Sequence, residues 1–111
     1  MVTESNIQIE PARVLADCRQ RIDRIDGVLL ALLRERLRTA EEAADAKAAL
    51  GQPVLAPPRE AEVLARVATL ASAPLEPGAA ARIFELIIEE TRATAVRRTE
   101  AQHERAPSQT R

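Results

Sequence analysis

The sequence predicts an all-α protein of three helices, long, short and medium, and three observations predict it. From about Ala12 to Leu50 there is no proline and one glycine, Gly27, and apolar residues recur at three- and four-residue spacing. Beyond that stretch, two clusters of proline and glycine divide the remainder into two further periodic segments. The apolar fraction, 46%, is almost entirely Ala, Leu, Ile and Val, with Phe84 the lone aromatic. Such a set suits interdigitating helices better than a sheet, which favours aromatic and β-branched residues.

The first helix is expected to start near Pro11, because proline is tolerated in a first turn. Its stripe is Leu15, Ile22, Ile25, Leu29, Leu32, Leu33 and Leu37, followed by an alanine-rich run to Ala49. Gly27 costs it about 1 kcal/mol relative to alanine. Gly51 stands where a C-terminal stop belongs. At 1.5 Å per residue the helix extends roughly 55–60 Å, whereas a compact domain of this size has a radius of gyration of roughly 13 Å. The rest of the chain is too short to cover such a helix, so it needs a partner, most simply a second copy of itself.

Pro53, Pro57 and Pro58 forbid continuation through the connector Gln52 to Pro58. A second helix is expected from about Pro58 to Ala71, with Val63, Leu64, Val67 and Leu70 as its stripe. Pro74, Pro77 and Gly78 mark the next break, and a third helix follows from about Ala79 to near Gln102, carrying Ile83, Phe84, Ile87, Ile88 and Val96. The resulting organisation is a loose N-terminus (1–10), one helical domain (11–102) and a disordered tail (103–111).

Charge narrows the function classes. Fifteen arginines and one lysine face seventeen acids, for a net charge of −1. That balance argues against a general nucleic-acid binder, which needs a clear positive excess. Cys18 is the sole cysteine, so there is no disulfide framework and no cysteine-based metal site. No signal peptide and no membrane span are expected, and the chain reads as cytoplasmic. His103, the one histidine, falls at the edge of the tail and is not expected to be catalytic.

Any anion must therefore be held by a few gathered cations. Arg36 and Lys47 lie eleven residues apart, close to three full turns. They share a helix face, with roughly 16 Å between their backbone positions, so their long side chains could hold a small dianion between them. Arg19 is seventeen residues before Arg36, off that face and about 25 Å along the axis. It can serve such a pocket only from an antiparallel partner. Lys47 is the one lysine in an arginine-biased chain, which suits a site wanting a compact ammonium. The same three residues are also what a solvated helix face would present, and geometry alone does not choose. Arg59 and Glu60 fall in the first turn of the second helix, where an acid favours the dipole whatever else it does. Thr91 lies inside the third helix, where a threonine can simply bond back to a carbonyl.

Taken in order, these segments resemble a known family. Cys18-Arg-Gln-Arg-Ile-Asp-Arg-Ile-Asp26 and Leu29-Leu-Ala-Leu-Leu-Arg-Glu-Arg36 are similar to the opening of the all-helical chorismate mutases. Lys47, Gly51-Gln-Pro-Val54, Pro58-Arg-Glu-Ala-Glu-Val-Leu64 and Ile83-Phe-Glu-Leu-Ile-Ile-Glu-Glu-Thr91 continue the resemblance, which spans roughly residues 13–98. It implies an intertwined homodimer with two equivalent sites that rearrange chorismate to prephenate in aromatic amino-acid biosynthesis, without cofactor or metal. By position, it implies that Lys47, Arg36 and Glu60 are catalytic. Arg19 of the partner subunit and Arg36 would bind the two carboxylates, and Lys47 would reach the ether oxygen and a carboxylate. Glu60 would accept from the ring hydroxyl, with Arg59 beside it and Thr91 near the ring carboxylate.

Two positions depart from the family. Where many members carry a glutamine or protonated glutamate that donates to the ether oxygen, this chain has Ala95, with Arg92 and Arg98 nearby as candidates to compensate. Loss of one such donor costs on the order of 100–1000-fold in rate. Where the family commonly has an aspartate, this chain has Ala56, a feature shared with the isochorismate–pyruvate lyases on this fold. Three alternatives follow: such a lyase, an aminodeoxychorismate mutase, or a non-catalytic helical dimer acting through a larger shikimate-pathway enzyme.

Overall fold

The computed structural model of the protein describes residues 4–105. Three helices make up the described chain: α1 (Glu4–Leu50), α2 (Pro57–Leu70) and α3 (Pro77–Arg105), and no strand occurs among the described residues. None of these helices is long and apolar enough to cross a membrane. The all-α class and the long–short–medium order are thus as the periodicity predicts.

The boundaries differ at the two outer ends. α1 starts at Glu4, so Pro11 is interior and residues 4–10, expected to be loose, are helical. One interior proline removes a single i→i−4 bond at a cost of about 3 kcal/mol, which need not stop a helix of forty-seven residues. At the other end α3 continues through His103 to Arg105. The rest of the expected tail, 106–111, lies outside the described residues.

The inner ends follow local chemistry. Gly51 has φ of +70°, and its N–H bonds to the Ala48 carbonyl at 3.2 Å while Gln52 N–H bonds to the Lys47 carbonyl at 2.8 Å. This pair of bonds closes α1 as a Schellman stop, which requires a residue at ease in the left-handed region. Pro57 and Pro58 open α2 in its first turn, where their missing N–H groups cost nothing, and Ala56 precedes them without a side-chain cap. Pro77 plays the same part in α3.

The chain divides into two compact units, one ending at Arg34 and one beginning at Glu35. In the second, α2 packs on α3, and its small interior consists of Ala44, Val63, Ala80, Ile88, Thr94 and Ala95. Leu64 and Val67 of α2 are half-buried, whereas Leu70, expected in the same stripe, is 73% exposed. The first unit is the N-terminal part of α1. There Leu15, Ile22, Ile25, Leu29 and Leu32 are each at least half exposed. A contiguous apolar stripe of that length is more than a chain alone in water usually exposes.

Candidate active site

Both turns that carry the charged residues are fixed by the helix ends just described. The Schellman stop places Lys47 in the last turn of α1, and its Nζ donates to the Val54 carbonyl at 3.0 Å, drawing the connector over that end. The Pro57–Pro58 start puts Glu60 in the first turn of α2. Thr91 and Phe84 are seven residues apart on α3, two turns along one face.

Arg36, in the part of α1 that belongs to the second unit, bridges to that face. Its Nη1 donates to Thr91 Oγ1 at 2.6 Å, and the Thr91 hydroxyl donates in turn to the Ile87 carbonyl at 2.7 Å. The guanidinium also lies 5.9 Å from the Phe84 ring centroid, within cation–π range. Partial burial, and then the nearby charge of Arg59, lower the Arg36 pKa. The charge of Arg59 thus reaches Arg36, while Arg59 itself pairs with Glu62 one turn on, at 3.6 Å.

Glu60 is gripped from α3. Arg92 Nε donates to Glu60 Oε2 at 2.9 Å and Arg92 Nη2 to Oε1 at 2.8 Å, a bidentate fork. These hydrogen bonds hold the Glu60 carboxyl below the usual carboxylate range; desolvation opposes them, and the charges of Arg92 and Lys47 add to them. Further along, Asp45 of α1 accepts from Arg98 at 2.9 and 3.0 Å and from Gln102 at 2.7 Å, tying α1 to α3. The Arg98 hydrogen bonds are the main reason its carboxyl is also lowered.

Within the second unit, then, three helices bring Arg36, Lys47, Arg59, Glu60 and Thr91 to one neighbourhood. The family model for chorismate mutase type II matches residues 18–96. The chain belongs to the chorismate mutase type II family. A chorismate mutase of Methanocaldococcus jannaschii is 34% identical over 80 residues, covering 71% of this chain and 81% of that protein. A solved structure of chorismate mutase (form II) from Thermus thermophilus superposes with a TM-score of 0.72 at 29% identity, covering 77% of this chain and 96% of that one. Membership in the chorismate mutase family makes the protein an isomerase.

Other predicted site residues stand as follows. Arg19 is exposed and belongs to the first unit. Ala95, one turn beyond Thr91, is only 7% exposed and offers no side-chain donor. Arg92 and Arg98, the two candidates to replace that donor, are each engaged by a carboxylate. Ala56 is half-buried at the mouth of α2.

Sequence reasoning missed the grip of Arg92 on Glu60 and the Asp45 anchor. Arg92 and Glu60 lie thirty-two residues apart on different helices, where no local period connects them. Asp45 was more accessible, because Arg98 and Gln102 sit at i and i+4 and present two donors to one spot.

Proposed function

We propose that the protein is a cytoplasmic, homodimeric chorismate mutase whose site is built from Arg36, Lys47, Arg59, Glu60 and Thr91 of one subunit and Arg19 of the partner subunit. The observation that carries this reading is the bond of Arg36 to the Thr91 hydroxyl within reach of the Arg59 charge, with the Lys47 charge acting on the Glu60 carboxylate. Such a cluster suits a small dianion with one hydroxyl.

The reaction is an intramolecular rearrangement: the ether C–O bond breaks as a C–C bond forms, with no net transfer of proton or electron. Catalysis then reduces to holding the folded conformer and stabilising charge as it gathers on the ether oxygen. Arg36 and Arg19 of the partner subunit would clamp the two carboxylates. Lys47, a compact cation, would meet the ether oxygen. Its 3.0 Å bond to the Val54 carbonyl fixes the ammonium before substrate arrives, so little reorganisation accompanies the reaction. Glu60 would accept from the ring hydroxyl.

The homodimer is supported by the half-exposed stripe of the first unit, which a second copy would cover. Its disruption by Ile25→Glu, read by sedimentation, is expected to abolish turnover along with the dimer, because Arg19 would leave its site.

The decisive experiment incubates purified protein separately with chorismate and isochorismate and quantifies prephenate, pyruvate and salicylate. Prephenate from chorismate is expected. Pyruvate and salicylate from isochorismate alone would replace this reading with the lyase activity that Ala56 favours. Silence on both, in a folded dimer, would leave a role exercised through a larger pathway enzyme.

A further inference from the structure

Arg92 has no part in the site as the family resemblance lays it out, yet it makes the only bidentate contact to a site residue among the described residues. Both oxygens of Glu60 accept from it, and each keeps a second lone pair. A carboxylate held by both oxygens is restrained from turning away from its neighbour on α3 and, ionised, presents only acceptors outward. The Glu60 side chain is 22% exposed, so its unoccupied edge is reachable. We propose that Arg92 is a positioning residue: it fixes Glu60 as a rigid, ionised acceptor, so that the site selects substrates whose ring substituent brings an O–H or N–H donor.

This inference rests on the reading of Glu60 as the acceptor for the ring substituent. The charges facing Glu60 come from the two neighbouring helices of its unit. Arg92 lies on α3 with Glu89 beside it and Lys47 on α1, while on α2 itself Arg59 pairs with Glu62. Arg92 and Lys47 both favour the ionised form, and Arg92 does so most through its hydrogen bonds. Removing Arg92 therefore leaves Glu60 ionised at neutral pH but free to turn, and lets its pKa rise toward that of an ordinary glutamate.

The test compares wild type, Arg92→Gln, Arg92→Lys, Glu60→Gln and the Arg92→Gln/Glu60→Gln double variant, with Arg66→Gln as a control for loss of one exposed cation on α2. Far-UV circular dichroism checks that each is folded. Carbon-13 NMR of the side-chain carboxyl follows the titration of Glu60, whether or not the protein turns over. The Glu60 titration is expected to move up in Arg92→Gln and only partly in Arg92→Lys. With chorismate as substrate, Arg92→Gln is expected to lower kcat/KM by roughly tenfold, the low end for a group that orients a functional residue. The acid limb of its pH profile should rise with the Glu60 titration. In the Glu60→Gln background the same substitution should cost less than about twofold, because coupled residues are not additive.

An unmoved Glu60 titration in a folded Arg92→Gln protein would overturn the proposal. So would a fall in kcat with an unshifted acid limb, which would mean that Arg92 touches substrate itself. Absence of chorismate turnover in wild type would instead overturn the mutase reading, while the NMR titration still decides whether Arg92 fixes Glu60.

Discussion

Replacing Thr91 by valine removes a hydroxyl and keeps the shape. That hydroxyl accepts from Arg36 Nη1 at 2.6 Å and donates to the Ile87 carbonyl at 2.7 Å. The second bond matters little, since a helix carbonyl usually has an N–H partner one turn on. The first is charge-assisted, and such bonds are worth about 1.5–3 kcal/mol when fully sequestered. Arg36 and Thr91 are both half-buried, so water can partly replace the lost acceptor. A net loss of about 1 kcal/mol in the orientation of Arg36 is then reasonable, which is about fivefold in kcat/KM. Steady-state consumption of chorismate by Thr91→Val measures it, with Thr91→Ser as the control that keeps the hydroxyl. Thr91→Ser is expected to stay within about twofold of wild type. If Thr91→Ser loses activity while Thr91→Val keeps it, the methyl group and not the hydroxyl is what matters. If Thr91→Val is as fast as wild type, the Thr91–Arg36 bond does not orient the arginine for catalysis.

Lys47→Ala is expected to lower kcat by at least about 100-fold while sedimentation still shows the dimer; near-normal turnover would remove Lys47 from the mechanism. Asp45→Asn tests the α1–α3 tie through pH. The Asp45 carboxyl is held below its ordinary value, so its contribution is full above the unfolded pKa of about 3.9 and is lost as pH falls through the lower folded value. The thermal midpoint of wild type should therefore fall more steeply than that of Asp45→Asn between about pH 5 and pH 2, and parallel curves would show that the tie is unimportant. Ala95→Gln restores an amide where the family commonly has a donor. Because Ala95 is 7% exposed, the larger side chain should destabilise by about 1–3 kcal/mol, yet raise kcat by about tenfold or more. A folded variant with unchanged kcat would show that this site does without a donor there.

What could be read from the sequence depended on how local its cause was. Pro57 and Pro58 placed the start of α2 to within a residue, and Gly51 the end of α1, because each acts on its own backbone. Pro11 misled because a preference for first turns is statistical, whereas the penalty for sitting inside a helix is finite and local. Leu70 kept the apolar period but not the burial, since periodicity names a face without saying where the neighbour ends. Arg36 and Lys47 were found by counting turns along one helix. Their closeness to Arg59, Glu60 and Thr91 depends on how three helices pack in the second unit, and the ordered resemblance to a family supplied that. The Arg92–Glu60 fork had neither a local period nor a family motif to announce it.

Phe84 gives the molecule a property useful at the bench. The chain has no tryptophan and no tyrosine, and its one phenylalanine lies beneath the Arg36 guanidinium. Near 280 nm the protein is almost silent, so consumption of chorismate can be followed by ultraviolet absorbance with little background from the enzyme. Fluorinated phenylalanine fed during expression would enter at that single position. Its resonance would report on Arg36, and so on occupancy of the proposed substrate site, with no competing signal from elsewhere in the chain.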